Sequence, residues 1–190
     1  RPVVERMGGE DVVRRKVQVV EGDLDQPLCG ISPEMVERLK GKVDIVVNLA
    51  GVVDFDPPVN ESVEPNVYGT QDLIDLVQQL EARVVHVSTA YVAGKKNGRI
   101  SEDTPIEGYF PRRSENPGEP FSVAEELKWY EQFGKHTRES RHTNSRPVRE
   151  RLREGGIQRA DYWGWTNTYT YTKSMGEQML AQTPGLRYCI

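Results

Sequence analysis

Three short apolar runs, separated by segments with helical spacing, constrain the fold of this chain most strongly. The runs lie at 16–24, 43–48 and 84–88 and are rich in valine, which is typical of buried strands. Ser32-Pro33 marks a helix start between the first two runs, and an amphipathic helix ending near Leu80 precedes the third. These intervals leave no room for hairpins, so they predict right-handed crossovers and a parallel sheet covered on both faces. The predicted fold is a doubly wound, Rossmann-like α/β sheet.

The other segments are predicted to be helical or irregular, except for a last strand that begins at Leu186. The connection after the third run is rich in Gly, Pro and charge, and residues 135–154 are dense in arginine. We interpret this arginine-rich run as a solvated helix or mobile loop, with a basic surface for a phosphorylated ligand such as coenzyme A as the alternative. The predicted helices lie at 1–15, 119–134 and 168–182.

Polar clusters follow each of the three predicted strands. Asp23 follows the first, Asn48 with Ala50-Gly51 ends the second, and Ser88-Thr89 ends the third. In sheets of this class, ligands bind beyond the carboxyl ends of the strands. The sequence therefore predicts that the three clusters meet at one edge of the sheet and form a ligand site.

The predicted helix 168–182 carries a Tyr-x-x-x-Lys pattern, Tyr169 to Lys173. The i,i+4 spacing places both side chains on one helical face. An ammonium beside a phenol favours the phenolate, so Tyr169 is a candidate general acid/base. A solvated helix face has the same spacing, and the pattern gains meaning only if a cofactor site surrounds it.

Composition excludes several classes of protein. The net charge of -4 over 190 residues argues against a nucleic-acid partner. Two cysteines, Cys29 and Cys189, form neither a disulfide framework nor a metal cluster, which favours a reducing compartment. No apolar run reaches the roughly 18 residues of a membrane span. Because the first residue is Arg, we expect the true N-terminus to lie upstream.

Five short motifs occur along the chain. They are Gly22-Asp23-Leu24, Asn48-Leu49-Ala50-Gly51, Asn66-Val67-Tyr68-Gly69-Thr70, His86-Val87-Ser88-Thr89-Ala90-Tyr91-Val92 and Tyr169-x-x-x-Lys173. In order and spacing they resemble the motifs of extended short-chain dehydrogenases/reductases. The sequences at 87–94 and 167–173 resemble the fatty acyl-CoA reductase (male-sterility) branch, and the charged insert at about 107–160 resembles its bacterial members. The resemblance covers nearly the whole chain.

The resemblance implies a cofactor-binding role for residues at the strand ends. Asp23 would accept from the adenine amino group, with the Leu24 backbone beside it. Asn48, Ala50 and Gly51 would line the path of the ribose and nicotinamide, Gly51 because a side chain would block close approach. Asn66 would brace the site from the neighbouring helix.

It also implies three catalytic residues. Thr89 would supply the hydroxyl donor, with Ser88 as a rival expected to point into the sheet. Tyr169 would be the proton donor, and Lys173 would bind the nicotinamide ribose. Structural interpretations remain open for Asp23 as a turn residue, Asn66 as a polar residue at a helix N-terminus and His86 as a packed core or surface histidine. Tyr171 is expected to point away from Lys173 and to be structural. His136 and His142 receive no role, and no metal site is predicted.

The family's Gly-rich phosphate-binding turn is absent from this sequence. We therefore interpret residues 1–190 as a partial NAD(P)-binding Rossmann domain, incomplete at both ends, with the charged helical insert within it. The implied function is NADPH-dependent reduction of long-chain fatty acyl-CoA to fatty aldehyde and/or alcohol; NADPH is preferred over NADH from the resemblance alone. A cytoplasmic location is expected, and peripheral membrane contact is compatible with the sequence.

Three other functions stay open. One is reduction of a carrier-bound thioester, and another is the chemistry of a sugar-nucleotide epimerase/dehydratase or steroid-dehydrogenase-like enzyme. The last is non-catalytic NAD(P) sensing, against which the intact Tyr-x-x-x-Lys pattern argues.

Overall fold

The computed structural model describes residues 2–6, 8–115, 118–139 and 146–190. Eight α-helices and three strands occur within these ranges, and short 3-10 turns lie at Pro27–Gly30 and Ala90–Ala93. The strands are β1 (Ile45–Asn48), β2 (Arg83–His86) and β3 (Tyr188–Cys189). The helices are α1 (Pro2–Arg6), α2 (Glu10–Lys16), α3 (Pro33–Leu39), α4 (Val59–Val63), α5 (Gly69–Leu80), α6 (Val123–Glu139), α7 (Arg146–Trp163) and α8 (Thr168–Gln182).

The sheet is parallel throughout, in the order β1-β2-β3. In its register, Asn48 pairs with His86 and Val84 pairs with Tyr188. Val46 and Val84 pack into an apolar cluster with α3 and α5. Ile45 and Val47 are 52% and 55% exposed, so the described residues leave the other face of β1 uncovered. The prediction of a parallel α/β sheet is confirmed.

The prediction of a strand at 16–24 is wrong. Residues 17–23 are irregular, and Val19 is exposed. A strand needs a neighbour that accepts and donates ladder hydrogen bonds, and no described strand lies beside this run. The predicted helix 1–15 is also divided into α1 and α2, because Gly8 and Gly9 adopt positive φ angles between them; Arg1 and Met7 lie outside the described residues.

The predicted amphipathic helix before β2 exists, but it contains a π-helical segment at Glu64–Tyr68 between α4 and α5. Pro65 lies in this segment and has no N–H to donate to the preceding turn. Such wide turns are frequent at functional sites. Here the segment carries Asn66, which lies in the candidate site described below.

Helices α6 and α7 fall in the arginine-rich part of the chain and pack on the rest of the domain. Arg149 forms an ion pair with Glu61 on α4, and Arg153 donates to the Asp56 carbonyl. Val148 and Leu152 of α7 are buried in a second, larger apolar cluster, to which α4, α6, α7 and α8 contribute. This packing favours a structural role for these arginines; His142 lies outside the described residues.

Candidate active site

The carboxyl ends of β1 and β2 lie side by side, as the sequence predicts. The Asn48 side chain is buried at the end of β1, and its Oδ1 accepts from the Ala50 N–H at 3.1 Å. This contact fixes the backbone directly after the strand. In the register of the sheet, Asn48 pairs with His86, the last residue of β2.

His86 connects the two strand ends to α8. Its Nδ1 lies 3.0 Å from Asn48 Nδ2, and its Nε2 lies 3.2 Å from Lys173 Nζ. Lys173 Nζ also donates to the Val87 carbonyl at 2.8 Å. Burial lowers the pKa of His86 to about 4, with Lys173 as a second cause. Burial also lowers the pKa of Lys173, against the opposing effect of Glu177.

The sequence interpretation of His86 as a packed histidine missed this connection. Val84 lies two residues earlier on β2 and faces the core. Strand alternation therefore predicts a buried His86, and a buried imidazole needs hydrogen-bond partners. Its partners Asn48 and Lys173 could not be identified from the local sequence.

Asn66, in the π-helical segment, joins the loop after β1 to α8. Its Oδ1 accepts from Val52 N at 3.1 Å, and its Nδ2 donates to the Val52 carbonyl at 3.3 Å and to Thr172 Oγ1 at 3.1 Å. Gly51 has φ of 147°, and a Cβ there would lie 2.7 Å from Asn66 Oδ1. Glycine is therefore required by the protein's own packing at this position.

Helix α8 begins where the sequence predicts, because Asn167 caps it. Asn167 Oδ1 accepts from Thr170 N at 2.8 Å. Tyr169 is half-buried, its N–H donates to the Phe55 carbonyl at 3.2 Å, and its ring meets the Phe55 ring edge-on. The i,i+4 spacing places Tyr169 and Lys173 on one helical face, although within the described residues no hydrogen bond joins their side chains.

Thr89 and Ser88 occupy different environments. Thr89 Oγ1 accepts from Tyr91 N at 3.3 Å and caps the 3-10 turn at Ala90–Ala93, while the residue stays half-buried. The Ser88 hydroxyl is enclosed near the Glu177 carboxylate, without a hydrogen bond of normal geometry. Burial raises the pKa of Glu177, and Ser88 and Lys173 oppose that effect. Ser88 thus points inward, as expected.

Within the described residues, no hydrogen bond joins Asp23 or Leu24 to this hydrogen-bonded group. The Asp23 carboxylate accepts from Asp25 N at 3.0 Å in an exposed turn. Leu24 packs against the apolar cluster that Val46 and Val84 form with α3 and α5. The turn reading of Asp23 therefore fits the contacts, and its predicted role toward adenine stays a prediction.

A second buried polar group holds α8 against α6 and α7. Glu126 is 1% exposed, accepts from Arg159 at 2.6 and 2.8 Å, and accepts from the Tyr171 hydroxyl at 2.6 Å. The Arg159 guanidinium also lies over the Trp129 ring. Tyr171 is fully buried here, which confirms the expectation that it points away from Lys173 and is structural.

The parallel sheet, with Tyr-x-x-x-Lys on a helix beside its carboxyl edge, defines the class of short-chain dehydrogenases/reductases. The sequence profile of the NAD-binding family described as "Male sterility protein" matches residues 3–190. The chain belongs to this family.

Similar proteins in the family are described as fatty acyl-CoA reductases. The chain is 34% identical over 176 residues to the "Alcohol-forming fatty acyl-CoA reductase" of Simmondsia chinensis, covering 91% of this chain and 35% of that protein. It is 33% identical over 170 residues to the "Probable fatty acyl-CoA reductase 5" of Arabidopsis thaliana, covering 88% and 34%. The chain thus spans about a third of the length of these relatives.

A solved structure shares the fold at low sequence identity. The terminal R domain from the myxalamid PKS-NRPS biosynthetic pathway matches with a TM-score of 0.58 and 18% identity, covering 94% of this chain and 33% of that one. The relatives named here are plant proteins, and the expectation of a bacterial type stays a prediction. Across the described ranges, no helix is both long and apolar enough to cross a membrane.

Proposed function

We propose that the intact protein reduces long-chain fatty acyl-CoA with NADPH and forms a fatty aldehyde and/or a fatty alcohol. The observation that carries the proposal is that Lys173, on the same helical face as Tyr169, contacts His86 and the Val87 carbonyl at the end of β2. Membership in the male sterility family, with relatives described as fatty acyl-CoA reductases, supports the same substrate class.

The residues at this edge fit the ribose and nicotinamide part of a dinucleotide. Ala50 is exposed, and Gly51 presents backbone without a side chain. Asn48 and Lys173 lie behind them with polar atoms directed toward the strand ends. When bound, the nicotinamide cofactor supplies a hydride. NADPH over NADH is part of the proposal and follows the family resemblance.

The two hydroxyl groups of the site would act on the thioester oxygen. Thr89 Oγ1 accepts from the Tyr91 N–H, which leaves its own proton available to donate. Thr89 and Tyr169 would stabilise the negative charge that develops on the carbonyl oxygen, and Tyr169 would supply the proton. Departure of coenzyme A would give the aldehyde, and a second reduction at the same site would give the alcohol.

The remaining sequence-based expectations belong to the same proposal. Residues 107–160 would form an insert within one nucleotide-binding domain, since α6 and α7 pack against α4 and α8. The protein would act in the cytoplasm, with any membrane contact being peripheral. Asp23 and the Leu24 backbone would contact the adenine.

The test is NADPH oxidation by the purified intact protein, with product identification by mass spectrometry. A long-chain acyl-CoA and the same acyl group on a carrier protein are compared, and NADH is run in parallel. We expect NADPH oxidation and aldehyde or alcohol from acyl-CoA. Activity on the carrier-bound thioester alone would establish the carrier-linked alternative. Bound NADPH that no thioester oxidises would contradict the proposal; turnover of a sugar nucleotide or steroid would then identify another enzyme of this class.

A further inference from the structure

The His86 imidazole is enclosed between two other buried polar side chains. His86, Asn48 and Lys173 are 2%, 7% and 5% exposed. Solvent cannot readily supply the missing donors or acceptors at this depth. Each hydrogen-bond donor among these side chains must therefore find its acceptor within the protein, and each acceptor its donor.

The orientation of Asn48 determines which imidazole nitrogen carries the proton. Because Asn48 Oδ1 accepts from the Ala50 N–H, its Nδ2 faces His86 Nδ1 and donates to it. Nδ1 is then an acceptor. A neutral imidazole has one N–H, which must lie on Nε2.

The Nε2–H is directed at Lys173 Nζ, 3.2 Å away. An ammonium has three donors and no acceptor, so two N–H groups would oppose each other. An uncharged amine has a lone pair for the Nε2–H and still donates to the Val87 carbonyl. We propose that His86 is a positioning residue that holds Lys173 as an uncharged amine, through a one-way chain of hydrogen bonds from the Ala50 N–H to the Val87 carbonyl.

The surroundings agree with this assignment. Burial lowers the pKa of both His86 and Lys173, which is the direction that favours a neutral imidazole and an uncharged amine. Glu177, one turn after Lys173 on α8, is the charged group that favours the ammonium. Burial raises the pKa of Glu177 itself, which weakens that effect. Tyr169 is the other titratable group on this helical face.

Protonation of Lys173 would reverse the direction of the hydrogen bonds that link Lys173, His86 and Asn48. The ammonium would donate to Nε2, the imidazole proton would move to Nδ1, and Asn48 would have to turn its Oδ1 toward His86. The Ala50 N–H would then lose its acceptor. A ligand oxygen that accepts from Ala50 would therefore favour the charged form of Lys173; this coupling rests on the proposed function, whereas the tautomer in the free protein does not.

The direct test is the tautomer of His86 in the intact protein labelled with 15N-histidine, without cofactor. Long-range 15N–1H correlation at neutral pH should show the proton on Nε2, with the signal assigned by its loss in His86→Phe. A proton on Nδ1, or on both nitrogens, would overturn the inference. This readout is independent of turnover, so an inactive protein with the Nε2–H tautomer would reject the proposed function alone.

The second test follows the Lys173 titration in protein labelled with 15N-lysine. His86→Phe removes the donor to the amine, so the pKa of Lys173 should rise by about one unit, the scale of one hydrogen bond. A fall, or no change, would contradict the inference. Gln178→Leu is the matched control, because it removes a buried amide of α8 that binds Gly108 and Tyr109. It should leave the Lys173 titration unchanged.

Discussion

The Asn66 side chain donates to the Thr172 hydroxyl across 3.1 Å, joining the π-helical segment to α8 next to Lys173. The same amide makes both hydrogen bonds to the Val52 backbone. One side chain thus sets the distance between the loop after β1 and the helix that carries Tyr169 and Lys173.

Asn66→Leu should lower the free energy of unfolding by about 2–3 kcal/mol, because the half-buried Val52 backbone and the buried Thr172 hydroxyl lose their hydrogen bonds. Urea denaturation measures this change. Thr172→Val is the control, with an expected loss of about 1 kcal/mol, since Asn66 keeps its contacts with Val52. Equal losses in the two variants would show that Asn66 does not brace the loop.

Gly176→Ala should destabilise the protein by about 1–3 kcal/mol. A Cβ at this position would lie 2.9 Å from the Asn66 carbonyl oxygen and 3.3 Å from Thr70 Oγ1, so α8 would have to move away. Gly134→Ala on α6 is the matched control, because no atom lies within 4 Å of its Cβ position. The free energy of unfolding of that variant should rise by up to about 1 kcal/mol, because alanine has the higher helix propensity. Thermal unfolding of the pair distinguishes crowding from a general effect of alanine.

Glu126→Gln should lower the free energy of unfolding by about 3 kcal/mol, because it leaves the partly buried Arg159 charge without its carboxylate partner. The neighbouring Glu125→Gln removes an exposed ion pair with Lys128 and should change stability by less than about 0.5 kcal/mol. Chemical denaturation provides the comparison. Similar stability of the two variants would mean that the buried group does not hold α8 in place.

Acid should destabilise the fold through His86. The pKa of His86 is lowered from 6.5 to about 4 in the folded protein, so the unfolded chain binds this proton first as the pH falls. The associated stability is present above about pH 6.5 and is lost toward pH 4, by at most about 3 kcal/mol. Unfolding measured across this range should show a weaker pH dependence in His86→Phe than in the wild type. Parallel curves would contradict this contribution.

Local signals were sufficient to predict some parts of this structure. Helix α8 has the bounds predicted for it, and the Asn167 cap at its start is a local contact. The strand at 16–24 was predicted wrongly because strand formation depends on a partner that local sequence does not reveal. Pro65 in the amphipathic helix is a local signal for the widened turn, and the prediction of a continuous helix overlooked it.

The positions of several candidate residues could be expected from the sequence, but their contacts could not. Asn48 ends β1, and Tyr169 and Lys173 lie on one face of α8, as strand ends and motif spacing indicate. The catalytic and cofactor-binding roles of these residues and of Thr89 stay predictions. The bonds of His86 to Asn48 and Lys173 span 38 and 87 residues of sequence. Contacts at such separations follow from the packing of α8 on the sheet, which single-sequence periodicity does not specify.

The most direct test of the proposed chemistry compares two tyrosines of the same motif. NADPH oxidation with a long-chain acyl-CoA is measured in the intact protein and in its Tyr169→Phe and Tyr171→Phe variants, alongside NADPH binding. Tyr169→Phe should lose turnover and keep binding, because it lacks the proton donor. Tyr171→Phe should keep turnover and lose only about 1–2 kcal/mol of stability, since its hydroxyl binds Glu126. Retained turnover in Tyr169→Phe would contradict the assignment of this site.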